Sequence, residues 1–387
     1  MHISAARPFL APSVKQGAGM RFKALRISRV TRLAAVGFAV WLGGCANLGY
    51  YAQAVDGHMD IHNRVRRIDA IIADPGTDPK LKQTLTLVAR LREFASRELK
   101  LPDNQSFTTY ADLGRRYAIW NVSAAPELSV EPEKWCFVAA GCVSYRGFFS
   151  ETEAQSFANE LRMKGYDVSV GGVRTYSTLG WFKDPVLNTF LGYSDTELAQ
   201  LIFHELAHQL VYVQDDSTFN ESFATAVELE GIARWLDQHG AQGQRPAFDA
   251  SHKRKTASIA IMLDHRKRLE DLYASDESEV EKRTAKARIL AELRKDLSSL
   301  ETDKARSDTY DKWLALNLNN AFLASVSTYT QLVPAFHALL ARHDGDIGRF
   351  YDAVRELSRL PKAERIALLH GMNGQAFRQQ FRIIRGL

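Results

Sequence analysis

Residues 193–213 read Tyr193-Ser194-Asp195-Thr196-Glu197-Leu198-Ala199-Gln200-Leu201-Ile202-Phe203-His204-Glu205-Leu206-Ala207-His208-Gln209-Leu210-Val211-Tyr212-Val213. No Gly or Pro interrupts the run. Ser194 followed three residues later by Glu197 is a capping box, so a helix is predicted to start there. Residues four apart share a helix face, so His204 and His208 present two imidazoles to one point, with Glu205 beside them. The flanking Leu201-Ile202-Phe203 and Leu210-Val211-Tyr212-Val213 predict a buried helix. Two histidines and a glutamate are costly there unless they pair with one another or hold a metal. The plainer alternative is a core helix whose polar groups are satisfied by neighbours. Two neutral imidazoles at this spacing suit Zn²⁺, which in a catalytic site takes three protein ligands and keeps a fourth position open. Such an ion brings the pKa of a bound water to about 7, and Glu205 is placed to take its proton. Zn²⁺ is therefore the expected cofactor, and metal-assisted hydrolysis the expected chemistry.

A third ligand must come from outside the helix. After His208 the chain continues Gln-Leu-Val, so the extension that supplies a third His in metzincins is absent. Downstream lies Phe219-Asn220-Glu221-Ser222-Phe223-Ala224. It resembles the Asn-Glu-x-Phe-Ala segment of gluzincin peptidases related to aminopeptidase N, in which the Glu is the third zinc ligand. That resemblance implies Glu221, with Asn220 expected to cap the helix that carries it. Twelve residues separate His208 from Glu221, fewer than in those enzymes, so the connection must be tight. Asp215, Asp216, Glu228 and His239 remain rival ligands, and Asp216 and Glu228 are also candidates to orient the histidines.

The rest of the chain reads as helix-rich with a small strand region. Residues 51–100 carry helical apolar spacing in two segments, split near Asp74-Pro75-Gly76. Tyr117-Ala-Ile-Trp-Asn-Val and Cys136-Phe-Val suit strands. Glu151 to Lys164 reads as a helix stopped by Gly165, and Tyr166-Asp-Val-Ser-Val as a strand ending at Gly171-Gly172. Tyr176-Ser177-Thr178-Leu179-Gly180 reads either as an edge strand for an extended substrate, with Trp181 and Phe182 lining a pocket, or as a turn with its aromatics packed inward. Residues 251–310, dense in charge at helical spacing, read as a solvated helical hairpin or a partner-binding arm. The expected class is α+β, mostly helical, with a small mixed sheet.

The 387 residues carry a formal charge of +5, but residues 1–44 hold seven bases and no acid. Without them the charge is −2, so the basic balance gives no argument for nucleic acid. Basic residues followed by the apolar run Leu33–Gly44 form a secretory signal too short to span a bilayer comfortably. Leu42-Gly43-Gly44-Cys45 resembles the lipobox of bacterial lipoproteins, which implies lipidation of Cys45 and a mature chain of residues 45–387. Ala46, rather than Asp, after that Cys implies the outer membrane, facing the periplasm, with the lipid as the membrane anchor. An exported chain meets an oxidising compartment, and Cys136 and Cys142, with Gly141 between, are expected to form a disulfide rather than two buried thiols. The composition, 45% hydrophobic and 25% charged, excludes disordered and collagen-like classes, and one short apolar run excludes a polytopic membrane protein.

The lipobox, Cys136-Phe-Val-Ala-Ala-Gly-Cys-Val-Ser-Tyr-Arg-Gly, Tyr176-Ser-Thr-Leu-Gly-Trp-Phe, His204-Glu-Leu-Ala-His and Asn220-Glu-Ser-Phe-Ala together resemble a bacterial family of predicted aminopeptidases. That resemblance implies a zincin-like peptidase fold, a peptide or protein substrate, and removal of N-terminal residues. Gluzincins often place a Tyr or His downstream of the ligand Glu to stabilise the oxyanion, which implies Tyr329; Tyr176, Tyr193 and Tyr212 are alternatives, and Tyr329 also reads as an ordinary helical Tyr. Two rival functions stand beside the aminopeptidase: a zinc endopeptidase acting on envelope proteins, and a lipid-anchored scaffold or binding protein without peptidase activity. Nothing in the residues fixes the oligomeric state.

Overall fold

The computed structural model describes residues 49–137, 141–240, 243–300 and 318–372. The chain divides into two units, Met1–Ala52 and Gln53–Leu387. Of the first, residues 49–52 are described, as helix; the signal-like segment and Cys45 lie outside the described residues, as do residues 301–310 of the charged run. Among the described residues no helix is long and apolar enough to cross a membrane.

The second unit is a mostly helical α+β fold. It starts with α1 (residues 53–63), α2 (Ile68–Ala73) and α3 (Pro79–Arg97). The break at Asp74-Pro75-Gly76 is where the sequence places it, but there is a second one. Arg66–Arg67 leave the helix as strand β1 and pair antiparallel with β2 (Thr109–Ala111), which pairs parallel with β8 (Val186–Leu187). A second sheet, in the order β6 (Arg146–Phe148), β3 (Ile119–Pro126), β7 (Tyr166–Val173), is antiparallel throughout, and β4 (Trp135–Phe137) and β5 (Gly141–Val143) form a hairpin. The single mixed sheet expected from sequence is thus three small sheets, of which the first is mixed. β7 also outlasts its expectation: Gly171 and Gly172 stay paired with Asn121 and Trp120, and the strand ends at Val173. The absent side chain is needed at Gly172, where a Cβ would lie 2.5 Å from the Tyr117 ring.

Between β6 and β7 runs α4 (Glu151–Met163), capped by Ser150 and closed at Gly165 in a left-handed turn (φ +84°). The remaining helices are α5 (Asp195–His208), α6 (Ser217–His239), α7 (Gln244–Ala274), α8 (Glu279–Ser299), α9 (Asn320–Thr330), α10 (Val333–Arg342), α11 (Ile347–Arg359) and α12 (residues 362–372). α7 and α8 form the charged hairpin. Its inner side, Met262, Leu269, Ile289, Leu293 and Leu297, makes a separate small core with Val130, Leu318, Phe322 and Leu323.

The main core is built around α5 and α6. Phe94 of α3 meets Phe203 of α5 and Trp235 of α6, and Phe223 of α6 packs against Phe336, Phe350 and Tyr351 of α10 and α11. Phe203, Phe219 and Phe223 are wholly buried, and each such ring stabilises the fold by roughly 1.5–3 kcal/mol. Gly231 lets α5 and α6 approach closely, since a Cβ there would sit 2.7 Å from Phe203 Cδ2.

Candidate metal centre

The capping box read from sequence is present: Ser194 Oγ accepts from Glu197 N, and Ser194 N donates to Glu197 Oε2 at 2.9 Å. α5 then runs to His208 and stops. The continuation to Val213 does not form, because Asn220 captures that backbone instead. Its Nδ2 donates to Val213 O at 2.7 Å, and its Oδ1 accepts from Val213 N at 2.8 Å. Asn220 is therefore a clamp on the α5–α6 connection. The N-cap of α6 is Asp216, whose carboxylate accepts from Phe219 N and is held by Arg365 and Lys362. This arrangement makes the tight connection that the short spacing requires.

It delivers Glu221 to the two histidines. His204 Nε2 lies 3.2 Å from His208 Nε2 and 3.2 Å from Glu221 Oε2, and His208 Nε2 is 3.4 Å from the same oxygen. All three side chains are at least 87% buried, with 13%, 6% and 12% of their surface exposed. One proton cannot serve three mutually close acceptors in such a place, whereas a cation between them would satisfy all three. Ligands at zinc bond lengths of about 2.0–2.1 Å in a tetrahedron stand about 3.3 Å apart, which matches the observed triangle. Among the described residues these three are the group able to hold a metal ion.

The other acidic candidates serve elsewhere. Glu228 Oε2 lies 2.8 Å from His204 Nδ1, the nitrogen facing away from the triangle, and Gln200 donates to its other oxygen. Such a partner fixes the imidazole tautomer and rotation. Asp215 accepts from Cys142 N at 2.6 Å, which ties the β4–β5 hairpin, closed by a Cys136–Cys142 disulfide, to the α5–α6 connection. His239 stacks on Trp235 with ring centroids 4.3 Å apart. His208 Nδ1 is buried without a hydrogen-bond partner among the described residues.

The charges of the centre act on one another. Burial works to lower His204, but hydrogen bonds and charge from Glu221 and Glu228 outweigh it and raise the imidazole well above its ordinary value. Burial works to raise Glu221, yet the charge of His208 and hydrogen bonds from both histidines hold it at about 2. Tyr329 on α9 lies with its ring 6.5 Å from that of His204. The charge of Glu221, then burial, Tyr145 and Glu205, push its hydroxyl well above the ordinary range, so it stays a donor. Of the other tyrosines, Tyr176 bonds His58, Tyr193 packs under Arg174, and Tyr212 is raised by burial and by Glu221.

The charge of Glu205 acts on Tyr329 and on Asp184. Asp184, which belongs to no sequence motif, is buried. It accepts from Thr178 N at 3.0 Å and Thr178 Oγ1 at 2.6 Å, and from Ser177 Oγ and Gln209 Nε2. Burial and the nearby Glu205 push it to about 6 against those bonds. It anchors residues 176–180 as a loop, so the edge strand expected there does not exist. Of its aromatics Tyr176 packs inward, against the main core and Phe149, whereas Trp181 is 73% exposed and Phe182 56%.

A family model described as "Putative aminopeptidase" matches residues 49–369, most of the chain and every residue of this centre. The chain belongs to that family. Membership makes it a peptidase in the broad sense, with peptides as its substrates, and the aminopeptidase family thus meets in this chain a His-His-Glu group able to hold a metal. No curated protein and no solved structure matches the chain.

Proposed function

We propose that the protein is a zinc-dependent aminopeptidase of the zincin-like, gluzincin type, with His204, His208 and Glu221 as ligands of the ion. The observation that carries this reading is the buried triangle of two imidazole nitrogens and one carboxylate oxygen, with sides of 3.2–3.4 Å. When bound, zinc would supply Lewis acidity toward the scissile carbonyl and acidify a water. Glu205 takes a proton from the attacking water as its oxygen bonds to the carbonyl carbon. Glu205 then passes that proton to the amide nitrogen as the carbon–nitrogen bond breaks, and the amine leaves. Tyr329, kept protonated, donates to the oxyanion. Glu228 accepts from His204 Nδ1 and aims the other nitrogen at the centre.

Residues 1–44 serve in the same reading as an export signal and Cys45 as a lipidated anchor. The family model begins at residue 49, just beyond that cysteine. The catalytic domain is then the remainder of the mature chain, residues 45–387, held at the outer membrane and facing the periplasm.

The reading is tested with a peptide library, free and N-acetylated, incubated with the protein and with Glu205→Gln, products being read by mass spectrometry. Stepwise loss from free N-termini, abolished by the substitution and by acetylation, is expected. Cuts inside acetylated peptides would instead establish an endopeptidase, and no cutting by zinc-loaded protein would move the reading to a scaffold.

A further inference from the structure

A cavity of about 200 Å³ adjoins the centre, between the β3–β7 sheet and α9. Strand register explains its character. Asn121 pairs with Gly171 and Ser123 with Ser169, so these four share one sheet face. Val122, Ala124 and Val168 lie on the other, buried face, toward α4, whose own buried side is Ala154, Ala158 and Leu161. Over the polar face hangs α9, fixed at its start by Asn320 N to Asp167 Oδ2 at 2.9 Å and Asn319 Nδ2 to Val168 O at 3.0 Å. It turns Ala321, Ser325 and Thr328 toward the sheet and ends the cavity with Tyr329. Small residues face small residues, so the gap stays open.

We infer that this cavity holds the side chain of the substrate residue whose carbonyl is attacked, and that it selects uncharged polar side chains such as Thr or Gln. The inference rests on the peptidase reading above. Its size suits a single side chain, since a cavity of about 150 Å³ holds a benzene ring. None of its lining residues is charged, so a Lys, Arg, Asp or Glu side chain would be desolvated without an ionic partner. Asn121 Oδ1 is buried without a hydrogen-bond partner among the described residues, and an aliphatic side chain would leave it so, whereas a hydroxyl or amide donor would satisfy it. Tyr329 belongs both to this wall and to the face of His204. A side chain entering beside it is carried on the carbon next to the carbonyl that Tyr329 serves.

Gly171 keeps the cavity open. A Cβ there meets no atom within 4 Å, and the backbone is ordinary strand, so Gly171→Val adds bulk without strain.

The test uses the purified full chain, zinc-loaded, and peptides identical except for N-terminal Thr, Gln, Leu, Arg, Asp or Gly. Thr and Gln peptides are expected to exceed Leu in kcat/KM by about tenfold, the scale of one satisfied hydrogen bond, with Arg and Asp lower still. Gly171→Val should lower Thr and Gln by about tenfold more than Gly. Asn121→Ala should shift preference from Thr toward Leu, a change that misfolding cannot produce. Preference for a charged residue, or an equal loss on all peptides in both variants, would overturn the inference while leaving the peptidase standing. L-threonine amide and L-leucine amide are titrated calorimetrically in parallel. Saturation by the threonine amide in the wild type and its loss in Gly171→Val support the pocket; equal binding of both amides overturns it. Should no peptide be cut, the peptidase reading fails and this titration alone judges the cavity.

Discussion

Asp216→Ala tests how the centre is positioned. Asp216 is 2% exposed and Arg365 is 3% exposed. The aspartate accepts from Arg365 Nη2 at 2.6 Å and Nε at 3.2 Å, lies 3.3 Å from Lys362 Nζ, and caps α6 through Phe219 N. Removing one partner of a buried ion pair costs about 3–5 kcal/mol, because the other charge is left unpaired, and loss of an N-cap adds about 1 kcal/mol. A total near 5 kcal/mol is a large share of the usual 5–15 kcal/mol of net stability. With an unfolding entropy of about 2.1 cal/mol/K per residue over about 300 described residues, each kcal/mol is worth about 1.6 °C. Calorimetry should therefore show Tm falling by about 8 °C. Glu221 lies five residues beyond Asp216, so zinc affinity should fall as well. Arg365→Met alone should be milder, and the double variant should recover about 2 kcal/mol relative to Asp216→Ala, because the orphaned charge is gone. A Tm loss under about 2 °C, or a double variant no better than the single, would refute the reasoning.

Three further outcomes follow from the site. Glu228→Gln keeps the size but not the charge against His204 Nδ1, and should weaken zinc binding by about 10–100-fold in competition with a chromophoric chelator. In chelated protein Glu221 sits at about 2, below its free value of 4.5, so its stabilisation is full above about 4.5 and is lost as pH falls toward 2, while the raised His204 stabilises below 6.5 and loses that contribution as pH rises. Urea unfolding of chelated protein should therefore weaken as pH falls from about 4.5 toward about 2, and Glu221→Gln should flatten that limb. Denatured, unreduced protein should show Cys136 and Cys142 without free thiols, and reduction should cost about 2 kcal/mol in denaturant titration, the value for a loop of six residues' separation.

The sequence stated the centre more completely than the fold. The capping box, the two histidines four apart and the apolar residues before them are local signals, and α5 forms from that box to His208, short of the apolar flank that follows. The placement of Glu221 depends on the α5–α6 connection, where Asn220 clamps Val213 and Asp216 is the cap, parts that no local pattern distinguishes. Asn220 looked like a cap because its residue type suits one, but Asp216 has a buried arginine from α12 to hold it in that role, a contact some 150 residues away in sequence. Glu228 stood level with Asp216 as a partner for the histidines, and the choice followed from helix rotation: Glu228 is two turns beyond Glu221 on the same face of α6. Asp184 and the 176–180 loop were illegible, since their meaning lies in contacts with Ser106 and Gln209 rather than in any pattern. The three small sheets read as one because strands of two to eight residues carry no signal of which neighbour they pair with.

The proposed centre is three side chains, His204, His208 and Glu221, holding one catalytic metal. Elemental analysis of the purified protein after zinc loading and gel filtration addresses this directly. About one zinc per chain is expected in the wild type and in Glu205→Gln, and little in His204→Ala, His208→Ala or Glu221→Ala. A wild type that retains no zinc, or a Glu221→Ala variant that retains a full equivalent, would contradict it.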